Sequence, residues 1–176
     1  GYETAPFDAN VEGLDSSSYG GLEVNDDSGI LEYVRVWYGG SVVGDNNEIN
    51  GITLAGVGRG TKIEHIEIAY NLDDGIEFFG GTVDVKHVSV LFCLDDGIDM
   101  DLGYQGRLQF VFVMLGSGSQ HAVEVDGPGV PGSEISDRTF PRMYNALFIG
   151  DVVNGANPVS SDDSFAGLLR LRQGAG

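Results

Sequence analysis

The amino-acid sequence predicts an all-β solenoid, a right-handed parallel β-helix of about five coils of about 22 residues with long loops. Three observations carry this expectation. Sliding the chain over itself by 22 residues lays "KIEHIEIAYNLDDGIEFF" (62–79) on "DVKHVSVLFCLDDGIDMD" (84–101) without a gap. Each copy holds two short runs of β-branched and aromatic residues that alternate with period two. No segment shows a helical period, and 28 glycines supply turns along the whole chain.

The elements follow in chain order. Residues 1–28, with "DSSSYGGLEVNDDS" (15–28), are polar and glycine-rich and are expected to form a loop or edge cover, apart from a β-helix domain over 29–176. The first coil is read from "ILEYVRVWY" (30–38) and "INGITLAG" (49–56), and the two aligned copies supply the next coils. "RLQFVFVML" (107–115) with "QHAVEVDG" (120–127) makes another. A weaker copy is "RMYNALFIG" (142–150) with "GLLRLRQG" (167–174). The segments 127–141 and 151–164 are excursions between coils, the places where a solenoid often carries function. No polar capping repeat follows the last strand, so that end is expected to be truncated or to stack on another chain. Uncovered coil ends can add strands edge to edge, which makes a homo-oligomer or filament the expected partner state.

Stacked coils bring equivalent residues to about 4.8 Å, so every aligned column becomes a ladder. Ile63–Val85–Leu108 and Ile76–Ile98–Val123 are expected core ladders. Gly51–Gly75–Gly97, ending at Ala122, is expected to be a turn ladder with positive φ. Alternation puts Ile76 and Phe78 inside and aims Glu77 outward, in one column with Thr53, Asp99 and Glu124; Asp101 and Asp126 continue a neighbouring column. Trp37 faces outward if Val36 and Tyr38 face inward, and with Tyr19, Tyr104 and Phe79 it would form a sugar-stacking platform. His65 and His87 stack one coil apart as wall residues of the strands.

Bulk properties narrow the function. A formal charge of −18 argues against nucleic acid and anionic membranes as partners, and favours cations or a saline medium. No apolar run is long enough for membrane insertion, and no signal peptide is visible at Gly1. The single cysteine, Cys93, allows no intrachain disulfide and reads as a buried thiol. "GVGRG" (56–60) is not a phosphate loop, because no Gly-Lys-Ser/Thr follows and no helix opens there.

The repeated "LDDGI" poses the chemical question, because four carboxylates in stacked turns repel one another. Three readings of the residues stand open. The aspartates can staple tight turns by accepting backbone N–H groups. Asp73, Asp74, Glu77, Asp95, Asp96 and Asp99 can together hold calcium, which takes six to eight hard oxygens. Or a pair can perform acid–base chemistry, which in an inverting glycosidase needs carboxylates about 6.5–9.5 Å apart.

Two resemblances bear on this. The stretch from "NDDSGILEYVRVWYGG" through "NNEINGITLAGVG" and "DDGIEFFGGTVDVKH" resembles a group of secreted bacterial right-handed parallel β-helix proteins of undefined function, over roughly residues 19–126. It implies the fold and a secreted, extracellular or cell-surface location. The chain also resembles polygalacturonase-type glycoside hydrolases, with Asn71 and Asp73 for the Asn-Thr-Asp motif and Asp95–Asp96 for the Asp-Asp motif. His121 stands in "SQHA" rather than Gly-His-Gly, and "RLR" (170–172) replaces Arg-Ile-Lys. That resemblance implies Asp96 as the acid, Asp73 and Asp95 activating a water, His121 tuning the acid, and Arg170 or Arg172 holding a uronate. The expected function is therefore an extracellular structural or adhesion module, calcium-stabilised and self-associating. The alternative is a secreted hydrolase or lyase acting on an acidic polysaccharide.

Overall fold

The structure, a computed structural model, describes residues 9–11, 18–44, 47–127, 138–151 and 167–175. Two five-stranded parallel sheets make up its body. The first contains the long strands β3 (Ile30–Trp37), β7 (Lys62–Ala69), β9 (Asp84–Leu91), β11 (Arg107–Met114) and β13 (Arg142–Ile149). The second contains the short strands β6 (Ile52–Ala55), β8 (Ile76–Phe79), β10 (Ile98–Asp101), β12 (Val123–Asp126) and β14 (Leu169–Arg172). The chain alternates between the sheets, so each coil gives one strand to each, which is a parallel β-helix of five coils. Two antiparallel pairs lie beside it, β1 (Ala9–Asn10) with β2 (Ser18–Tyr19) and β4 (Val42–Gly44) with β5 (Asn47–Glu48).

The predicted columns are the observed registers. Ile63 pairs with Val85 and Val85 with Leu108; Ile76 pairs with Ile98 and Ile98 with Val123. These side chains are at most 1% exposed and line one continuous core. Burying each such aliphatic side chain is worth about 1.5–3 kcal/mol relative to leaving it in water.

The long strands bend in a way that strict alternation does not anticipate. Tyr33, His65, His87, Phe110 and Asn145, one per coil, sit at φ between 55° and 60°, and the pairing register passes over them. Each long strand is thus two short faces joined at a left-handed corner. A left-handed L-residue costs roughly 1–2 kcal/mol. Here ring stacking opposes that cost, with Tyr33–His65, His65–His87 and His87–Phe110 centroids 4.5–4.7 Å apart. The expected wall histidines are therefore corner residues. A second left-handed column, Tyr38, Tyr70 and Phe92, ends the long strands and stacks at 5.2 Å. Its φ turns Tyr38 out to solvent, against the expectation that Tyr38 faces the core.

The glycine turn ladder is present for a different reason than positive φ, since Gly51, Gly75 and Gly97 are not in that region. A Cβ on Gly75 would lie 2.6 Å from Gly97 O and also clash with Val90 Cγ1; on Gly97 it would lie 2.5 Å from Val113 Cγ1 and 2.7 Å from Ala122 O. The coils approach too closely at this turn for a side chain.

Residues 22–28 run along the β6–β7 connection. Arg59 N donates to Val24 O at 3.0 Å, Gly60 N to Asp26 O at 3.1 Å, and Ser28 N to Thr61 Oγ1 at 2.9 Å. The centres of the two excursions, 128–137 and 152–166, lie outside the described residues. The end of the first is anchored: Gly103 N donates to the buried Thr139 Oγ1 at 3.0 Å, and Phe140 N to Tyr104 O at 2.8 Å. Cys93 is buried, and burial pushes its thiol up to about 11, so it is an unreactive core residue.

Candidate acidic site on the turns

The second aspartate of each pair binds backbone. Asp74 Oδ1 accepts the N–H of Asp96 at 2.9 Å, one coil on. Asp96 Oδ1 accepts the N–H of His121 at 2.7 Å, one coil further, and lies 2.9 Å from His121 Nδ1. Each carboxylate thus staples its turn to the next. Asn71 pins the same turn from beneath, its Nδ2 donating to Asp74 O at 2.8 Å and Ile49 O at 3.3 Å. His121 does fall over Asp96, as the coil alignment expects, but it is 1% exposed rather than open to solvent.

Beside the staples, the β6–β14 sheet carries the acidic column. Thr53 pairs with Glu77, Glu77 with Asp99, Asp99 with Glu124, and Glu124 with Arg170. The column points away from the core as alternation requires, yet Glu77 and Glu124 are each only 4% exposed. Asn50, which stands in the Asp74 column one coil earlier, covers Glu77 by donating its Nδ2 to Glu77 Oε2. Asn50 Oδ1 is buried and lacks a hydrogen-bond partner.

A cleft of about 150 Å³ opens here, lined by Asp73, Asp74, Asp95, Asp96, Asp99 and Glu124 together with Glu48, Gln120, Arg170 and Arg172. Carboxylates outnumber the two arginines, and these are themselves engaged. Arg170 Nη1 is 3.2 Å from Glu124 Oε2, Arg172 Nη2 is 2.6 Å from Glu124 Oε1, and Arg172 Nε bonds Asp126.

Burial sets the electrostatics. Asp74 is raised well above the usual carboxylate range, first by burial, then by Asp99, Asp96, Glu77 and Asp73. Asp99 is raised for the same first reason, then by Glu77. Burial and then Asp96 lift Glu124 to about 7, with Arg172 opposing. Asp101 rises to about 6, again chiefly by burial. Such a cleft reaches neutral pH in one of two ways, by holding protons or by holding a cation.

Three sets of side chains bring ligand atoms within 4.8 Å of one another: Asp73–Asp74–Asp95, Asp74–Glu77–Asp99, and Asp96–His121–Glu124. The first two contain five of the six residues expected to hold calcium; the sixth, Asp96, falls in the third set with His121 and Glu124. The first two sets are made of hard oxygen donors only, and the orphaned Asn50 Oδ1 next to Glu77 adds a neutral oxygen, which fits calcium's preference. Of the residues expected for catalysis, Asp73 and Asp95 present oxygens within 4.8 Å of each other, and Asp96 and His121 are paired. Arg170 reaches the cleft at Glu124.

Sequence reasoning did not single out Asn50, Glu48 or Gln120. The signal for Asn50 was present, because "NGI" (50–52) lies on "DGI" (74–76) without a gap. The aromatic platform does not form. Tyr104 and Phe79 are buried, Tyr104 donating its hydroxyl to Val83 O at 2.8 Å, while Trp37 is exposed and donates Nε1 to Glu67.

No curated protein and no solved structure matches the chain. The pectate-lyase-like β-helix domain family matches it over residues 6–176, in agreement with the coils, the register and the turn ladders. The chain belongs to the family of pectate-lyase-like β-helix domains.

Proposed function

We propose that the chain is a structural or adhesion module of a secreted or cell-surface protein and that calcium held between its stacked turns stabilises it. One observation carries this reading: the Asp74–Glu77–Asp99 oxygens converge within 4.8 Å beside the unpartnered Asn50 Oδ1. Carboxylates this close and this buried repel one another unless a cation or protons intervene. Calcium binds irregular sets of carboxylate and carbonyl oxygens, whereas magnesium demands near-ideal octahedra. A ligand that binds only the folded chain raises its melting temperature by mass action. The test is a thermal melt at neutral pH with calcium and with a chelator. The expected outcome is a higher melting temperature with calcium, lost in Asp99→Asn; identical melts would sink the reading.

A second reading, a polysaccharide-degrading enzyme, is favoured by the Asp96–His121 pair bordering a cleft that also holds Asp73 and Asp95. Against it, Asp96 Oδ1 already accepts the backbone N–H of His121 and lies 2.9 Å from its Nδ1. Polygalacturonate assayed for cleavage decides: product formed by the wild type and abolished by Asp96→Asn would favour the enzyme over the module.

A further inference from the structure

Asn50 stands in a column whose next two members share one job. Ile52, Ile76, Ile98 and Val123 pair in register, so the residues two places before them, Asn50, Asp74, Asp96 and His121, follow one another coil by coil. Asp74 and Asp96 each give Oδ1 to the backbone N–H of the residue one coil on. Asn50 carries the equivalent oxygen and does not use it as a staple. Its Oδ1 is buried without a hydrogen-bond partner, in a residue only 5% exposed. Its Nδ2 donates instead to Glu77 Oε2 of the next coil. A buried carbonyl oxygen left unpaired costs stability and calls for an explanation.

The explanation lies beside it. Oδ1 and Nδ2 branch from one carbon, so Oδ1 stands next to Glu77, whose carboxylate converges with those of Asp74 and Asp99 within 4.8 Å. The torsion that turns the amide over is soft and roughly two-fold. Turning it exchanges the two atoms and brings Oδ1 to face Glu77. Oxygen then meets carboxylate oxygen, which is repulsive unless a cation or a proton lies between them. The two settings of the amide therefore belong to two states of the cluster, N–H towards Glu77 without an ion and C=O towards the ion when one is held.

We propose that Asn50 is the latch of the calcium site: it caps Glu77 through Nδ2 in the ion-free chain and turns its amide to ligate the ion through Oδ1 in the loaded chain. This rests on the calcium reading and adds to it a ligand atom and a change of state. It also accounts for an asparagine where the next two coils have aspartate. An aspartate at 50 has no N–H to offer Glu77 and sets a further carboxylate against it, so the ion-free chain would lose stability and depend more on calcium. The neutral amide serves both states, as donor in one and as oxygen ligand in the other.

Calorimetric titration of the chain with calcium chloride at neutral pH tests it, alongside the side-chain N–H pair of Asn50 followed by NMR and assigned through its own Cβ. Circular dichroism first establishes that each variant is folded. Asn50→Leu keeps the size and removes both amide atoms. Its calcium affinity should fall at least about tenfold, the scale of loss seen even when a group that only orients a ligand is removed. Asn50→Asp should melt below the wild type in chelator and gain more from calcium than the wild type does. The Asn50 N–H pair should shift as calcium is added, because Nδ2 leaves the Glu77 carboxylate. Unchanged affinity in folded Asn50→Leu, or an N–H pair that does not move at saturation, overturns the latch and leaves the calcium reading standing, since a mere cap on Glu77 would alter only the ion-free melt. A wild type that binds no calcium removes the reading and the latch together. Should Asn50→Leu not fold, the N–H pair of the wild type decides by itself.

Discussion

Asp74 and Asp96 each hold the backbone N–H of the residue one coil on, so part of the carboxylate repulsion in the turns is offset by charge-assisted hydrogen bonds. The glycine that follows each of them is required by space. A methyl group on Gly75 would meet Gly97 O and Val90. Gly75→Ala should therefore destabilise by about 1–3 kcal/mol, the usual cost of overpacking. At about 2–4 °C per kcal/mol for a chain of this size, the melting temperature reports it. A loss smaller than that of an Ala substitution at the exposed Gly167, where a Cβ meets nothing closer than 3.8 Å, would contradict the argument. The doubled aspartates were plain in the sequence, but which one faces backbone and which faces the cleft was not, because that depends on turn dihedrals that no pattern of residue types encodes.

The acidic column is a property of strands rather than of single residues. β8, β10 and β12 place Glu77, Asp99 and Glu124 in adjacent register, and the turns bury them. Folded, Glu124 protonates near 7 and Asp101 near 6, against about 4 in an unfolded chain. The folded state therefore binds more protons in that interval, and its stability falls as pH rises. This contribution is complete below about pH 4 and is lost as pH climbs through about 6 to 7. With a chelator present, the chain should melt higher at pH 5 than at pH 8, and Glu124→Gln should flatten the slope. An equal or higher melting temperature at pH 8 would contradict it. Asp74 and Asp99 of the proposed calcium set are raised by burial too, and calcium would displace their protons, so its effect should be larger at pH 8 than at pH 5. The long strands hold a parallel lesson. Core positions run Ile63, Ile66, Ile68 and Val85, Val88, Val90, with a gap of three where alternation demands two. That gap is the trace of the left-handed corner, and it was legible once the core was known.

For the whole molecule, each coil touches only its neighbours, so stability is close to a sum of coil and interface contributions. Among the described residues, the interior strands β7, β9 and β11 have a parallel neighbour on both sides, whereas β3 and β13 have one on a single side. Hydrogen exchange should be slowest in Ile66, Val88 and Val111 and faster in β13, where terminal coils fray first. Uniform protection across all coils would show an all-or-none unit instead.

The sequence by itself determined the coil, its circumference, its columns and the core, because a 22-residue self-match leaves a chain with only one economical way to bury its repeated apolar positions. It also placed Asp73, Asp74, Asp95, Asp96 and His121 on consecutive turns. Only the tertiary structure decided that Glu77 and Glu124 are buried, that Asn50 closes over one of them, and that Trp37 shares no surface with Tyr104 and Phe79. The physical reason is that burial and dihedral handedness arise from how coils cover one another. Register is written in the spacing of residue types along the chain, while exposure is a sum over neighbours that the spacing does not name.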